Sequence, residues 1–370
     1  MKRGDVVVFR INGVKGFLSV MVCVAIVLAT FGWGDDLAGS THSLLQGMGA
    51  RAVMGGHSEA EESFAVQSDT ASVTGYGGGG YAAQSVNALP ADIEALVKEA
   101  EALYKNYKKS GNIKEMQMGG SSACDSYGII DVNNKTDEDI DIKAILNTAP
   151  SLGTVTKEAP YILIYHTHTT EGYELLDQGW YSDQYVSRTT DESKNMVRVG
   201  DELARVLEEA GYKVIHDRNI YDKAYNGAYD RSRITVEKYL KQYPSIKITL
   251  DVHRDAIEYD NGTKCKPTAL INGRKAAQVM IITGCEGDGV TGFTQWKENL
   301  TFALHLQNTA QESFEGLMRP VFFCNRKYNM NVTPCSLLLE FGTDANTLQE
   351  AVYSAQLIGK GLAKMLDKYS

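Results

Sequence analysis

The sequence predicts an α/β protein, a mostly parallel sheet with helices on both faces, preceded by an N-terminal transmembrane helix, a flexible tether and an amphipathic helix. Three observations predict it. From about residue 159 short apolar runs alternate with stretches of helical periodicity. The first 34 residues place an uncharged apolar run behind a basic stretch, and residues 35–90 hold hardly any large aliphatic side chains. A chain of 370 residues with 43% apolar and 22% charged side chains has ordinary globular composition and length for one large domain plus extras, so disorder from end to end is excluded. The net charge of −9 disfavours nucleic acid as a partner, because a binder needs a basic footprint.

Residues 1–34 read as a cytoplasmic tail and membrane anchor. Lys2, Arg3, Arg10 and Lys15 precede Gly16–Gly32, which carries no charge and is stopped by Asp35 and Asp36. As a helix this run spans roughly 26 Å, close to the hydrocarbon thickness. Cations before it and acids after it put the bulk of the chain outside the cytoplasm, on a single-pass anchor. A signal-peptide cleavage site is poorly matched, so the anchor is expected to stay.

Residues 35–90 are rich in Gly, Ser, Ala, Thr and Gln and include Gly75–Tyr81 (GYGGGGY). So little apolar surface does not offset ordering entropy, which predicts a disordered linker. After Pro90, Ile93, Leu96, Val97, Ala100, Leu103, Tyr104 and Tyr107 recur at helical spacing and predict an amphipathic helix over about 91–109. It opens a segment, 91–158, read as an accessory helical and extended region, docked on its own chain.

The domain expected to carry the chemistry is 159–370. Tyr161–Tyr165 (YILIY), Tyr212–His216, Ile246–Asp251, Gln278–Thr283, Val321–Phe323 and Ser336–Phe341 read as strands; 195–210, 229–242, 295–315 and 345–368 read as helices. In such sheets functional groups collect beyond the carboxyl ends of the strands. The first strand runs into His166-Thr167-His168-Thr169-Thr170-Glu171, the third into Asp251-Val252-His253-Arg254, and Leu337–Leu339 into Glu340. Imidazoles and carboxylates from distant segments then meet at one edge, a constellation suited to a catalytic zinc ion, with a further carboxylate moving the proton. A carboxylate directly after three leucines is penalised by burial unless a metal or partner accepts it, which singles out Glu340. His216 and His305 lack a clustered carboxylate neighbour in sequence and read as structural.

At these residues the chain resembles the stage II sporulation protein P family, membrane-anchored cell-wall hydrolases of endospore-forming bacteria. The resemblance rests on Leu163–Tyr173 (LIYHTHTTEGY), Asn195–Val214, the DVHRDA string at 251–256 and SLLLEFGT at 336–343, and covers about 159–370. It implies a fold like zinc-dependent N-acetylmuramoyl-L-alanine amidases, cleavage between the lactyl group and the peptide stem of peptidoglycan, endopeptidase activity on cross-links, and a role in engulfment beside stage II sporulation protein D and other engulfment proteins. It implies Zn2+ as cofactor and, as its ligands, a first-strand His, a Glu and His253, with Glu340 as catalytic base and acid. His166 and His168 compete for the first position, because both fall on one face of an extended segment; counting from the strand in the amidase pattern favours His168. For the carboxylate ligand Glu171 is preferred, although related enzymes use a Glu opening the first long helix, where this chain has Asp191 and Glu192. Arg254 is the candidate for oxyanion or stem-carboxylate contact.

Two other readings compete. A thiol-dependent wall peptidase needs a reactive cysteine, and the chain offers Cys23, Cys124, Cys265, Cys285, Cys324 and Cys335 without any CxxC spacing. A catalytically inactive wall-binding scaffold would bind peptidoglycan and release nothing.

Overall fold

The protein's structure, a computed structural model, describes residues 90–370. The anchor over 1–34 and the linker up to 89 lie outside the described residues; among those described, no helix is long and apolar enough to cross a membrane.

Helix α1 (Ala91–Tyr104) ends five residues before the expected 109. It does pack on its own chain: Arg198 donates to Asp92 at 2.6 Å, and the Tyr104 hydroxyl donates to Glu174 at 2.7 Å. Strands β1 (Gly111–Met116), β2 (Asp125–Tyr127) and β3 (Ile130–Asn134) follow, then a short helix α2 (Ile142–Leu146) capped by Asp141. Then come β4 (Pro160–Tyr165), β5 (Trp180–Tyr181), α3 (Met196–Glu209), β6 (Lys213–His216), α4 (Ala228–Gln242) and β7 (Ile248–Asp255). The chain closes with β8 (Lys264–Ile271), β9 (Arg274–Ala277), β10 (Val279–Gly284), α5 (Trp296–Ser313), β11 (Val321–Cys324), β12 (Cys335–Thr343) and α6 (Leu348–Leu366).

Eight strands form the main sheet in the order β2-β3-β11-β10-β12-β7-β4-β6, and four form a smaller one, β5-β1-β8-β9. The main sheet is mostly parallel, as expected, with five parallel pairings out of seven, and it carries two antiparallel ones. β6, β4, β7 and β12 run parallel to one another, as do β3, β11 and β10, but β10 meets β12 antiparallel and β2 meets β3 antiparallel. The reversal has a local cause. Helices α3, α4 and α5 each return the chain for a parallel neighbour, whereas the path from β7 to β10 runs through the β8–β9 hairpin, with no helix to carry it back. That hairpin turns at Asn272-Gly273, both with positive φ (49° and 75°), the conformation this pair favours. The segment 91–158 supplies strands to both sheets: β3 pairs with β11 and β1 with β8.

Alternation along β4 divides the core. Ile162 and Ile164 face the large cluster built from α3, α5 and α6, while Leu163 and Tyr165 face Val236 of α4 on the other side, so helices do cover both faces. The functional consequence is directional. The carboxyl ends of β4, β6, β7 and β12 share one edge, and those of β10 and β11 point the other way.

Candidate active site

Strand β7 carries Asp251, His253 and Asp255 at alternate positions, on one face of a strand buried along its whole length. In the register between β12 and β7, Glu340 lies opposite His253, and both are fully buried. His253 and Glu340 therefore lie within their strands instead of beyond them, each strand running longer than the sequence suggests. β4 ends at Tyr165, and the turn after it brings His168 and Glu171 to the same place, each 2% exposed.

The His253 ring lies between two carboxylates. Its Nε2 is 2.7 Å from Asp251 Oδ1 and its Nδ1 is 3.5 Å from Glu171 Oε2, but neither contact is aligned as a hydrogen bond. Burial works to lower the His253 pKa; Asp251 and Glu171 outweigh it and hold the ring well above the ordinary histidine value. Burial works to raise the Glu171 carboxyl, and His253 with His168 and Arg254 outweighs it, so Glu171 stays ionised. Glu171 Oε1 accepts from Arg188 at 3.1 Å and Oε2 from the Arg254 backbone N–H at 3.2 Å. His168 stands edge-on to His253, ring centres 5.3 Å apart, and burial pulls it down to about 4, so it is neutral. Tyr225 lies flat on the other side of the His168 ring at 4.5 Å, with the Arg188 guanidinium over it.

Glu340 is the outlier. Both its carboxyl oxygens are buried and neither has a hydrogen-bond partner. Burial first, then the charge of Asp255, push its pKa well above the carboxylate range. A carboxyl whose pKa is raised in this way is a stronger base than a solvated one and a ready proton donor once protonated, which suits a group that takes and returns a proton.

The structure thus brings together His168, Glu171, His253 and Glu340. It turns His166 away: its Nδ1 meets the Val252 carbonyl oxygen at 2.9 Å and its Nε2 meets His216 at 2.8 Å, leaving no nitrogen for the cluster. Arg254 also points elsewhere, donating to Gly172 O, Asp255 O and Ser187 Oγ and so pinning the loop behind Glu171. Asp191 caps its own turn through Ser193, and Glu192 pairs with Arg218 on the surface. Sequence reasoning missed Asp222, Arg188 and Tyr225. Asp222 accepts from Thr170 and Arg188 beside His168, and all three lie on loops without periodic signal.

The fit to a metal divides in two. Imidazole and carboxylate are the donor types zinc takes in catalytic sites, and His168 Nδ1 and both His253 nitrogens lack hydrogen-bond partners. As the side chains stand, however, no group of three or more His, Cys, Asp or Glu among the described residues is placed to hold an ion. The thiol alternative finds no support in the four buried cysteines. Burial raises Cys265 and pushes Cys285 to about 11 and Cys324 and Cys335 to about 12, which disfavours the thiolate.

Fold and site together define an α/β protein with a buried imidazole–carboxylate cluster at the carboxyl ends of its parallel strands. A family model described as Stage II sporulation protein P (SpoIIP) matches residues 81–363, and the chain belongs to that family. It is similar to stage II sporulation protein P of Bacillus subtilis (strain 168), 29% identical over 222 residues, which are 57% of this chain and 52% of that protein. The chain spans about half the length of the curated relative it matches. Among solved structures, N-acetylmuramoyl-L-alanine amidase AmiC2 of Nostoc punctiforme is 12% identical at a TM-score of 0.33, covering 59% of this chain and 98% of that one. The CwlD amidase from Clostridioides difficile, solved with the GerS lipoprotein, is 12% identical at 0.35, covering 56% and 98%. The resemblance read from LIYHTHTTEGY is confirmed as family membership.

Proposed function

We propose that this chain hydrolyses peptidoglycan at the amide bond between the lactyl group of N-acetylmuramic acid and the stem peptide. The observation that carries the reading is Glu340: a fully buried carboxyl with neither oxygen paired, in register with His253. A structural residue at such a place would be apolar or paired.

The proposal includes a zinc ion held by His168, Glu171 and His253, which when bound would acidify water and polarise the scissile carbonyl. The chain's own groups do the rest. Glu340 takes the proton of the attacking water and returns it to the leaving amine. Arg188 donates to Glu171 and holds it toward His253, and Arg254 donates its backbone N–H to the Glu171 carboxylate and its side chain to the Gly172 carbonyl oxygen. Tyr225 covers the His168 ring and keeps water from it.

Family membership supports a place in sporulation. Endopeptidase activity on cross-links, partnership with stage II sporulation protein D and other engulfment proteins, and attachment to the cell membrane with this domain outside the cytoplasm belong to the same proposal. The test is mass spectrometry of products from purified sacculi treated with the full chain, before and after chelation and with zinc restored. The expected result is stem peptides with a free N-terminal alanine, abolished by chelator and restored by zinc. Binding to sacculi without release of peptide would leave the scaffold reading in its place, and release indifferent to chelator would remove the metal.

A further inference from the structure

The last register partner of β7 on β4 is Asp251, opposite Tyr165, where β4 ends. The next carbonyl, Val252, would be left bare on that side, and an unpaired buried carbonyl is costly. It accepts instead from the His166 ring: Nδ1 is 2.9 Å from Val252 O. Nε2 of His166 is 2.8 Å from Nε2 of His216, the last residue of β6, and His216 Nδ1 is 3.0 Å from Asp201 Oδ1 on α3. Asp201 also accepts from Arg218. A carbonyl and a carboxylate only accept, so both outer ring nitrogens donate, and the two rings meet each other through their Nε2 atoms.

The backbone has been shaped around this pair. A Cβ on Gly200 would stand 2.5 Å from His216 Nε2 and 2.6 Å from His166 Nε2, so α3 passes this close only because residue 200 has no side chain. The His166 ring is fully buried, and the His216 ring is 9% exposed.

We propose that His166, His216 and Asp201 are positioning residues for the site. They form a hydrogen-bonded strut from α3 across the ends of β6 and β4 to the Val252 carbonyl, and it fixes the stretch of β7 from which His253 projects. The inference rests on the reading of His253 as part of the site. Preorganisation of this kind matters because groups behind a reacting constellation set its geometry, and their loss typically costs about 10- to 100-fold in activity or metal affinity.

The test uses the full chain, its seven histidines labelled with 15N and the protein stripped of metal. Nuclear magnetic resonance is expected to show exchange-protected ring N–H signals from His166 and His216. Asp201→Ala is expected to lose the His216 Nδ1–H signal, to shift the His253 ring resonances, and to lower kcat on sacculi about 10- to 100-fold with KM and cooperative melting kept. Asp201→Asn, which retains an acceptor oxygen, is expected to recover most of the loss. Should Asp201→Ala fail to fold, His216→Gln, whose single amide group does not reach both His166 and Asp201 as the ring does, takes its place, with the same shift of the His253 resonances and the same loss of kcat expected. Wild-type kcat and unmoved His253 resonances in the variant that folds overturn the proposal. If the unmodified chain proves inactive on sacculi, the hydrolase reading falls by itself, and the His253 resonances still decide whether the strut holds β7.

Discussion

Glu340 and Glu350 lie ten residues apart, within β12 and in the first turn of α6, and the fold buries both. Their surroundings are opposite. Glu350 gives one oxygen to Lys266 at 2.8 Å and the other to the Thr347 and Asn346 N–H groups, closing a capping box that starts α6. Lys266, equally buried, is met again by Asp177 at 2.7 Å. Every charge in that network has a partner, whereas Glu340 has none. Burial alone therefore does not mark a carboxyl for function here; what sets Glu340 apart is that neither of its oxygens is paired. A paired buried ion often adds little net stability, but an unpaired buried carboxyl is a standing cost that a fold keeps where the group is used.

The largest effect expected from breaking this contrast is at Glu340. Glu340→Gln keeps the shape and removes the titrating carboxyl, so peptide release should fall about 10²- to 10⁴-fold while melting temperature holds or rises. A lowered melting temperature with retained turnover would reverse the assignment. Lys266→Met should do the opposite: calorimetry is expected to read a loss of ~3–5 kcal/mol, because Glu350 is left buried beside no cation, with turnover per folded molecule unchanged.

Glu174 sharpens the comparison from between the two cases. It has a partner in the Tyr104 hydroxyl, yet burial pushes its carboxyl up to about 7 from 4.5. Between those values the folded state holds a proton that the unfolded state releases. The stability from this group is therefore complete below about pH 4.5 and is lost as pH rises through about 7, by up to ~1.4 kcal/mol per unit. Denaturant titrations at stepped pH should show that slope, and Glu174→Gln should flatten it. The smallest expected effect is at Tyr225. Tyr225→Ala should change stability by no more than ~0.5 kcal/mol, since the residue is 39% exposed, but should speed modification of His168 by diethylpyrocarbonate. An unchanged rate would show that the ring does not cover the site.

Much of this was legible in the sequence. Strand-helix alternation after residue 159 survives as observed elements, and the three strand ends chosen for His168, Glu171, His253 and Glu340 do meet. The direction of β10 was not legible, because a strand buried on both faces reads the same either way. The β8–β9 hairpin carried an Asn-Gly signal that the apolar runs around it obscured. His166 and His168 were inseparable by alternation because the chain leaves extended geometry at Tyr165, and only the turn decides which ring faces Glu171. Arg188, Asp222 and Tyr225 come from loops whose folded paths no periodicity encodes.

The pairing of β3 with β11 and of β1 with β8 has a practical corollary for anyone trimming this protein. A recombinant fragment begun at residue 159 would leave one flank of β11 and one flank of β8 with open backbone valences, the template from which strands of separate molecules stack into aggregates. Such a truncation would precipitate for reasons unrelated to its catalytic groups, and expression trials should begin no later than the helix that opens at Ala91.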